Sequence, residues 1–192
     1  MDIAQLVTLF LATLTVLGQL SILAYVFLLT GKRFSHALYN LYNSVSVFLS
    51  QNMLLFSFIV SLTATFGSLF YSEIALYEPC RLCWFQRVFM YPQVILFGVA
   101  LWKKTTDVIK YGIPLSIIGG FIAAYHYFIQ IQGLAQPTVS DACSITGVSC
   151  VSTQFLTFGY VTIPLMAFTA FAMIILLCYN QKTLHKTYKL SI

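Results

Sequence analysis

Charge is what this chain has least of. Of 192 residues, five are Asp or Glu and ten are Lys or Arg, 8% in all. With 59% hydrophobic residues and a mean hydropathy of +0.87, a soluble globule is excluded. Long polar runs are also absent, which leaves no room for a separate soluble domain. Two-residue alternation is missing: Leu54-Leu55-Phe56-Ser57-Phe58-Ile59-Val60 has none, which argues against a transmembrane barrel. The start lacks a positive region, having Asp2 instead, and its apolar run is too long for a signal peptide. No repeat and no low-complexity tract interrupts the pattern.

What the chain has is apolar length. About 20 apolar residues cross a bilayer as a helix, and helices satisfy their own backbone there. Five stretches qualify, roughly 3–30, 51–77, 84–102, 111–132 and 158–180. The expected fold class is therefore an all-α polytopic membrane protein. Within 31–50, Phe34, Leu38, Leu41, Tyr42, Val45 and Leu49 recur at helical spacing, with Lys32, His36, Asn40, Asn43 and Ser46 on other faces. This stretch reads either as an amphipathic helix on the inner membrane surface or as an elongation of the second span.

The few charges orient the spans. Lys32, Arg33, Lys103, Lys104, Lys110, Lys182, Lys186 and Lys189 fall on one side, which is then cytoplasmic. Asp2, Glu73, Glu78 and Asp141 fall on the other, with Arg81 as its clear basic residue. The expected location is a plasma or inner membrane, with the N-terminus outside and the C-terminus inside. Topology accounts for the net charge of +5, so nucleic acid is not called for as a partner. Cys80, Cys83, Cys143 and Cys150 all lie on the outer side, where disulfides persist. Cys178, near the inner end of the last span, reads as a small buried hydrophobe.

The chemistry gathers around Cys80-Arg81-Leu82-Cys83. Pro79 biases what precedes it away from helix, so a span starts near Cys80 to Cys83. A cysteine at a helix N-terminus has a stabilised thiolate, and Cys-x-x-Cys pairs cycle between dithiol and disulfide. Arg87 shares the face of Cys83, about 6 Å deeper. An arginine there is costly and needs a task or a partner. One reading is redox chemistry, with Arg87 stabilising a thiolate or a reduced, anionic cofactor. The other is a structural disulfide beside an arginine that snorkels to the surface.

Cys143 and Cys150 bracket a short loop in the polar segment 133–157, and Gly147 lets it bend so that the two sulfurs can bond. Four cysteines also raise the question of zinc, but this spacing is not a usual one and the outer face disfavours four reduced thiolates, so no metal is expected. His126 and Gln130, four apart on the fourth span, share a face at the depth of the cysteines. They serve either as hydrogen-bond donors to a quinone carbonyl or as helix–helix glue. Gln86 is a similar, weaker candidate.

Pro79-Cys80-Arg81-Leu82-Cys83-Trp84-Phe85-Gln86-Arg87, continuing Val88-Phe89-Met90-Tyr91-Pro92, resembles the signature of the DsbB-type disulfide-forming membrane proteins, especially the BdbC branch. The second cysteine pair and Thr162-Ile163-Pro164 are similar too, and the resemblance runs from about Phe66 to the last span. It implies a four-helix transmembrane bundle that binds a membrane quinone, ubiquinone or menaquinone. It also implies an exported thioredoxin-fold (DsbA-like) partner, reoxidised outside the membrane. By the resemblance, Cys80 and Cys83 are the quinone-facing pair, with Cys83 nearest the quinone and Arg87 beside it. Cys143 and Cys150 meet the partner, with Cys143 as the site of the mixed disulfide. His126 and Gln130 match a quinone-side pair more loosely.

The chain is expected to divide into an extra N-terminal helix with its amphipathic segment (1–50), a redox core (51–180) and a cytoplasmic tail (181–192). The extra helix and the short second loop depart from the family pattern. In the related vitamin K epoxide reductases the two cysteine pairs come in the reverse order. Two further classes stay open: a non-enzymatic membrane protein held by structural disulfides, and a reductase that runs electrons outward.

Overall fold

The computed structural model describes residues 2–135, 149–151 and 155–190. The described chain is helical: α1 (Ile3–Gly31), α2 (His36–Gln51), α3 (Met53–Leu69), a π-helical turn (Phe70–Ile74), α4 (Arg81–Lys103), α5 (Ile109–Ala135) and α6 (Ile163–Leu190). Five of these helices are long and apolar enough to cross a membrane. Their outward side chains, such as Leu6, Phe27, Ile95 and Phe121, are exposed and suited to lipid rather than water. The fold is that of a polytopic helical membrane protein.

Helices α3 to α6 pack as a bundle, with α5 against α6 as its most extensive contact. Met53, Phe97, Phe171, Ile174 and Cys178 fill the core, where Cys178 is one more small apolar side chain. Because lipid is as apolar as leucine, polar contacts add to the packing. Ser116 Oγ donates to Gln93 Oε1 at 2.9 Å, tying α5 to α4 inside the bundle. At 23 residues, α4 is about 35 Å long and separates the Cys-x-x-Cys end from the lysine end.

Helix α1 packs on α6 and α2. It turns a stripe of small residues inward, including Thr8, Ala12, Thr15 and Gly18. A methyl on Gly18 would stand 2.9 Å from Met173 Sδ, so glycine is what lets α1 approach α6 this closely.

The 31–50 segment forms a helix of its own. Only Asn52, at φ −105 and ψ 11, separates α2 from α3. Leu38, Tyr42, Val45 and Leu49 turn toward the protein, whereas Phe34 and Leu41 stay exposed. Ser46, read from the pattern as lying on another face, is fully buried. The reason is polar. Asn180 Oδ1 accepts from Tyr25 OH at 2.8 Å and from Ser46 Oγ at 2.7 Å, and Asn180 Nδ2 donates to Ser46 O at 2.8 Å. One side chain of α6 thereby clamps α1 and α2. Replacing Asn180 with Leu removes three hydrogen bonds worth about 0.6 kcal/mol each in membranes. The melting temperature in detergent should fall by several degrees, and an unchanged value would show that the clamp contributes nothing.

The span limits need correction: the second runs Met53–Ile74 rather than 51–77, the fourth Ile109–Leu134 rather than 111–132, and the fifth reaches Leu184 rather than 180. The last span begins at Ile163 rather than 158, because Thr157 and Val161 pair across a tight turn with Phe158 at φ 54 and Gly159 at φ 79. The third begins at Arg81, three residues earlier than hydropathy suggests, with Cys80 as its extended N-cap.

Candidate active site

The site is built where the chain leaves α3. After the π turn, Leu76 adopts φ 55, and Pro79 leads into the N-cap Cys80. Cys83 therefore sits in the first turn of α4, with Gln86 and Arg87 one turn further in. The Cys80 and Cys83 sulfurs are 3.6 Å apart, with the Cys80 thiol donating. That hydrogen bond, with burial as a second cause, pushes the Cys80 thiol up to about 11. In the reduced pair Cys80 thus holds the proton at neutral pH, and Cys83 accepts the hydrogen bond from it.

His126 comes in from α5. Its Nδ1 lies 2.9 Å from Gln86 Nε2, its Nε2 3.6 Å from Cys80 Sγ and 3.2 Å from the Cys150 carbonyl. The Gln86 amide nitrogen only donates, so Nδ1 must accept, and the proton sits on Nε2. That Nε2–H faces both the Cys80 sulfur and the backbone of Cys150. Gln86 thus fixes the tautomer of a histidine that links Cys80 to the Cys150 backbone. All three side chains are buried.

Arg87 turns to α3. Its Nε donates to Ser68 Oγ at 2.9 Å and an Nη to Ser68 O at 3.0 Å, while the guanidinium lies 5.2 Å from the Trp84 ring centre. Tyr91 OH donates to the same Ser68 Oγ at 3.2 Å. Among the described residues the one salt bridge is Lys110–Asp107, so Arg87 makes none, although Glu78 lines the same cavity.

These groups surround a cavity of about 300 Å³. Cys80, Cys83, Gln86, Arg87, His126 and Gln130 all line it. Tyr71, Tyr77 and Phe155 pack as an aromatic cluster on its wall, with centroids 5.4–6.5 Å apart. Thr162 also lines it, and the buried Thr162 Oγ1 has no hydrogen-bond partner among the described residues. Of the sequence candidates, Cys143 lies outside the described residues. Cys80 Sγ, Cys83 Sγ and a His126 ring nitrogen fall within 4.8 Å of one another. Such a trio offers a soft metal ligands only while the dithiol is reduced.

The family "Disulfide bond formation protein DsbB" matches residues 50–180. This chain belongs to the DsbB family. A disulfide formation protein C (designated probable) of Halalkalibacterium halodurans is 44% identical over 125 residues, covering 65% of this chain and 88% of that protein. The Bacillus subtilis disulfide bond formation protein C is 43% identical over 123 residues, 62% of this chain and 85% of that protein. A prophage-derived disulfide bond formation protein B of the same species is 41% identical over 124 residues, 65% and 81% of the two chains. No solved structure matches. Family membership makes the chain a multi-pass membrane protein of thiol–disulfide oxidation, and α1 precedes the matched region.

Sequence reasoning did not find Ser68 or the use of the Cys150 carbonyl. Neither carries a local signal, since each meets its partner only through tertiary packing. Thr162 was visible as part of Thr162-Ile163-Pro164, but its unpartnered hydroxyl was not.

Proposed function

We propose that this protein oxidises an extracytoplasmic thioredoxin-fold partner and passes the electrons to a membrane quinone. One observation carries the reading: one largely apolar cavity meets the dithiol, an arginine that forms no salt bridge among the described residues, and the unpartnered Thr162 hydroxyl, with Glu78 also on its wall. That donor set suits a flat apolar ring with two carbonyl acceptors. Arg87, His126, Gln130, Gln86 and Thr162 would hold it. When bound, a quinone would supply a two-electron, two-proton acceptor for the Cys80/Cys83 dithiol.

The thiol steps follow from ordinary exchange. A partner thiolate attacks Cys143, and Cys150 leaves as a thiolate. The second partner thiol then releases Cys143, which leaves an oxidised partner and a reduced Cys143/Cys150 pair. Cys150 next attacks the Cys80 sulfur of the Cys80–Cys83 disulfide, and Cys83 leaves. Cys143, giving up its proton, closes on Cys150, and Cys80 leaves as a thiolate that then takes up a proton. The shared His126 supports Cys150 as the attacking member, because its Nε2–H lies between the Cys150 backbone and Cys80 Sγ. As charge develops on Cys80, that donor is already in position. Burial makes it worth more than it would be in water.

The lysine-rich inner ends of the helices support an outward-facing cysteine end. The test is purified protein, a reduced thioredoxin-fold substrate and a quinone. Quinone-dependent substrate oxidation is expected. Oxidation that ignores quinone, or electron flow only from quinol to substrate, would reject the proposal.

A further inference from the structure

We infer that α1, which lies outside the family match, forms one side of a lateral doorway through which the quinone tail leaves the cavity. The inference rests on the quinone reading above.

Helix α1 supplies Leu11, Leu14 and Thr15 to the cavity wall, so the site is not closed by the four-helix core alone. Its placement is held along its length. Thr8 Oγ1 accepts from Tyr71 OH at 3.3 Å. Gln19 Nε2 donates to Thr169 Oγ1 at 3.2 Å, and Gln19 Oε1 accepts from Tyr160 OH at 3.0 Å. A Cβ at Gly67 would stand 3.0 Å from Leu11 Cδ1, so the Leu11 side chain of α1 reaches α3 at this level. Thr8 beside Tyr71 and Leu11 beside Gly67 show that α1 and α3 run antiparallel there.

Deeper along the same pair of helices the wall opens. Leu14 is 40% exposed and Ile59 is 47% exposed, yet both line the cavity. No other apolar lining side chain among the described residues is exposed to that degree. One belongs to α1 and one to α3. Ile59 precedes Ser68, the anchor of Arg87, by nine residues, about 13 Å along α3. The opening is thus apolar, faces lipid, and lies toward the membrane middle from the polar groups. A prenyl tail fits these conditions; a hydrophilic ligand does not. Leu14 and Ile59 then act as specificity-determining residues for tail size.

The test uses the full chain in lipid and two readouts. First, ubiquinone and menaquinone analogues with a photoreactive azide on the tail are crosslinked and mapped. Adducts at 11–15 of α1 together with 59–63 of α3 are expected. Adducts on α3 and α6 with α1 unlabelled would overturn the doorway, and no adduct on any cavity residue would overturn the quinone reading itself. Second, Leu14→Trp and Ile59→Trp should each raise KM about tenfold for a long-tailed quinone and spare an analogue with one prenyl unit. Leu17→Trp, on the lipid-facing side of α1, should leave both values unchanged. Equal effects on long and short tails would place the residues off the tail path and overturn the doorway.

Discussion

Replacing Cys143 with Ala should stop partner oxidation while leaving Cys80–Cys83 fully oxidisable by quinone. Replacing Cys83 with Ala should do the reverse: one equivalent of partner is oxidised by Cys143–Cys150, and turnover then stops. In both variants the steady-state rate falls to that of uncatalysed exchange, which takes minutes to hours. The two losses differ because each variant cuts a different joint of the relay. With Cys143 gone, the outer pair has no disulfide for a partner thiolate to attack. With Cys83 gone, Cys80 has no disulfide with which to accept the pair held by Cys150. Trapping the cysteines with a maleimide after a single mixing event would separate the outcomes. Sustained partner oxidation without Cys143 would show that the partner reaches Cys80–Cys83 directly and that the relay is drawn wrongly.

The sequence carries the spans well because hydropathy is a local quantity. It carries their ends less well. Phe158 and Tyr160 are as apolar as a span residue, but the left-handed backbone at Phe158 and Gly159 makes them a turn. Composition cannot distinguish the two uses. Ser46 fails for a different reason: its burial is set by Asn180, 134 residues away. A helix-period reading assigns serine to a polar face and has no means of finding such a partner.

The same divide runs through the site. Cys80, Cys83, Gln86 and Arg87 were legible because they lie within two turns of one helix, and His126 with Gln130 because they are four apart. All six line one cavity. What stayed hidden is what each touches across helices. His126 reads from the sequence as quinone donor or helix glue, and across helices its ring nitrogens meet Gln86, Cys80 and the Cys150 carbonyl while the side chain lines the cavity. Helix α1 looked like an appendage and contributes to the cavity wall.

Arg87→Gln should slow quinone reduction by about a hundredfold, the usual effect of removing a preorganised donor from a developing anion. The arginine is costly in a membrane, by a few kcal/mol on insertion scales, and it forms no salt bridge among the described residues. Ser68 receives two of its donors and Trp84 lies against its face, so the guanidinium is fixed before any negative charge appears. That preorganisation is what a flexible ammonium lacks. Arg87→Lys retains the charge but loses the paired contacts to Ser68, and should fall between wild type and Arg87→Gln. The measurement is single-turnover quinone reduction by prereduced protein, with exchange between Cys143–Cys150 and the partner followed in parallel. That exchange should stay near normal, because Arg87 is held by Ser68 on the α3 side of the cavity. If both variants lose partner exchange equally, Arg87 holds the fold rather than the electron acceptor. If Arg87→Gln reduces quinone at the wild-type rate and affinity, its charge plays no part in the transfer and the arginine is an anchor on Ser68.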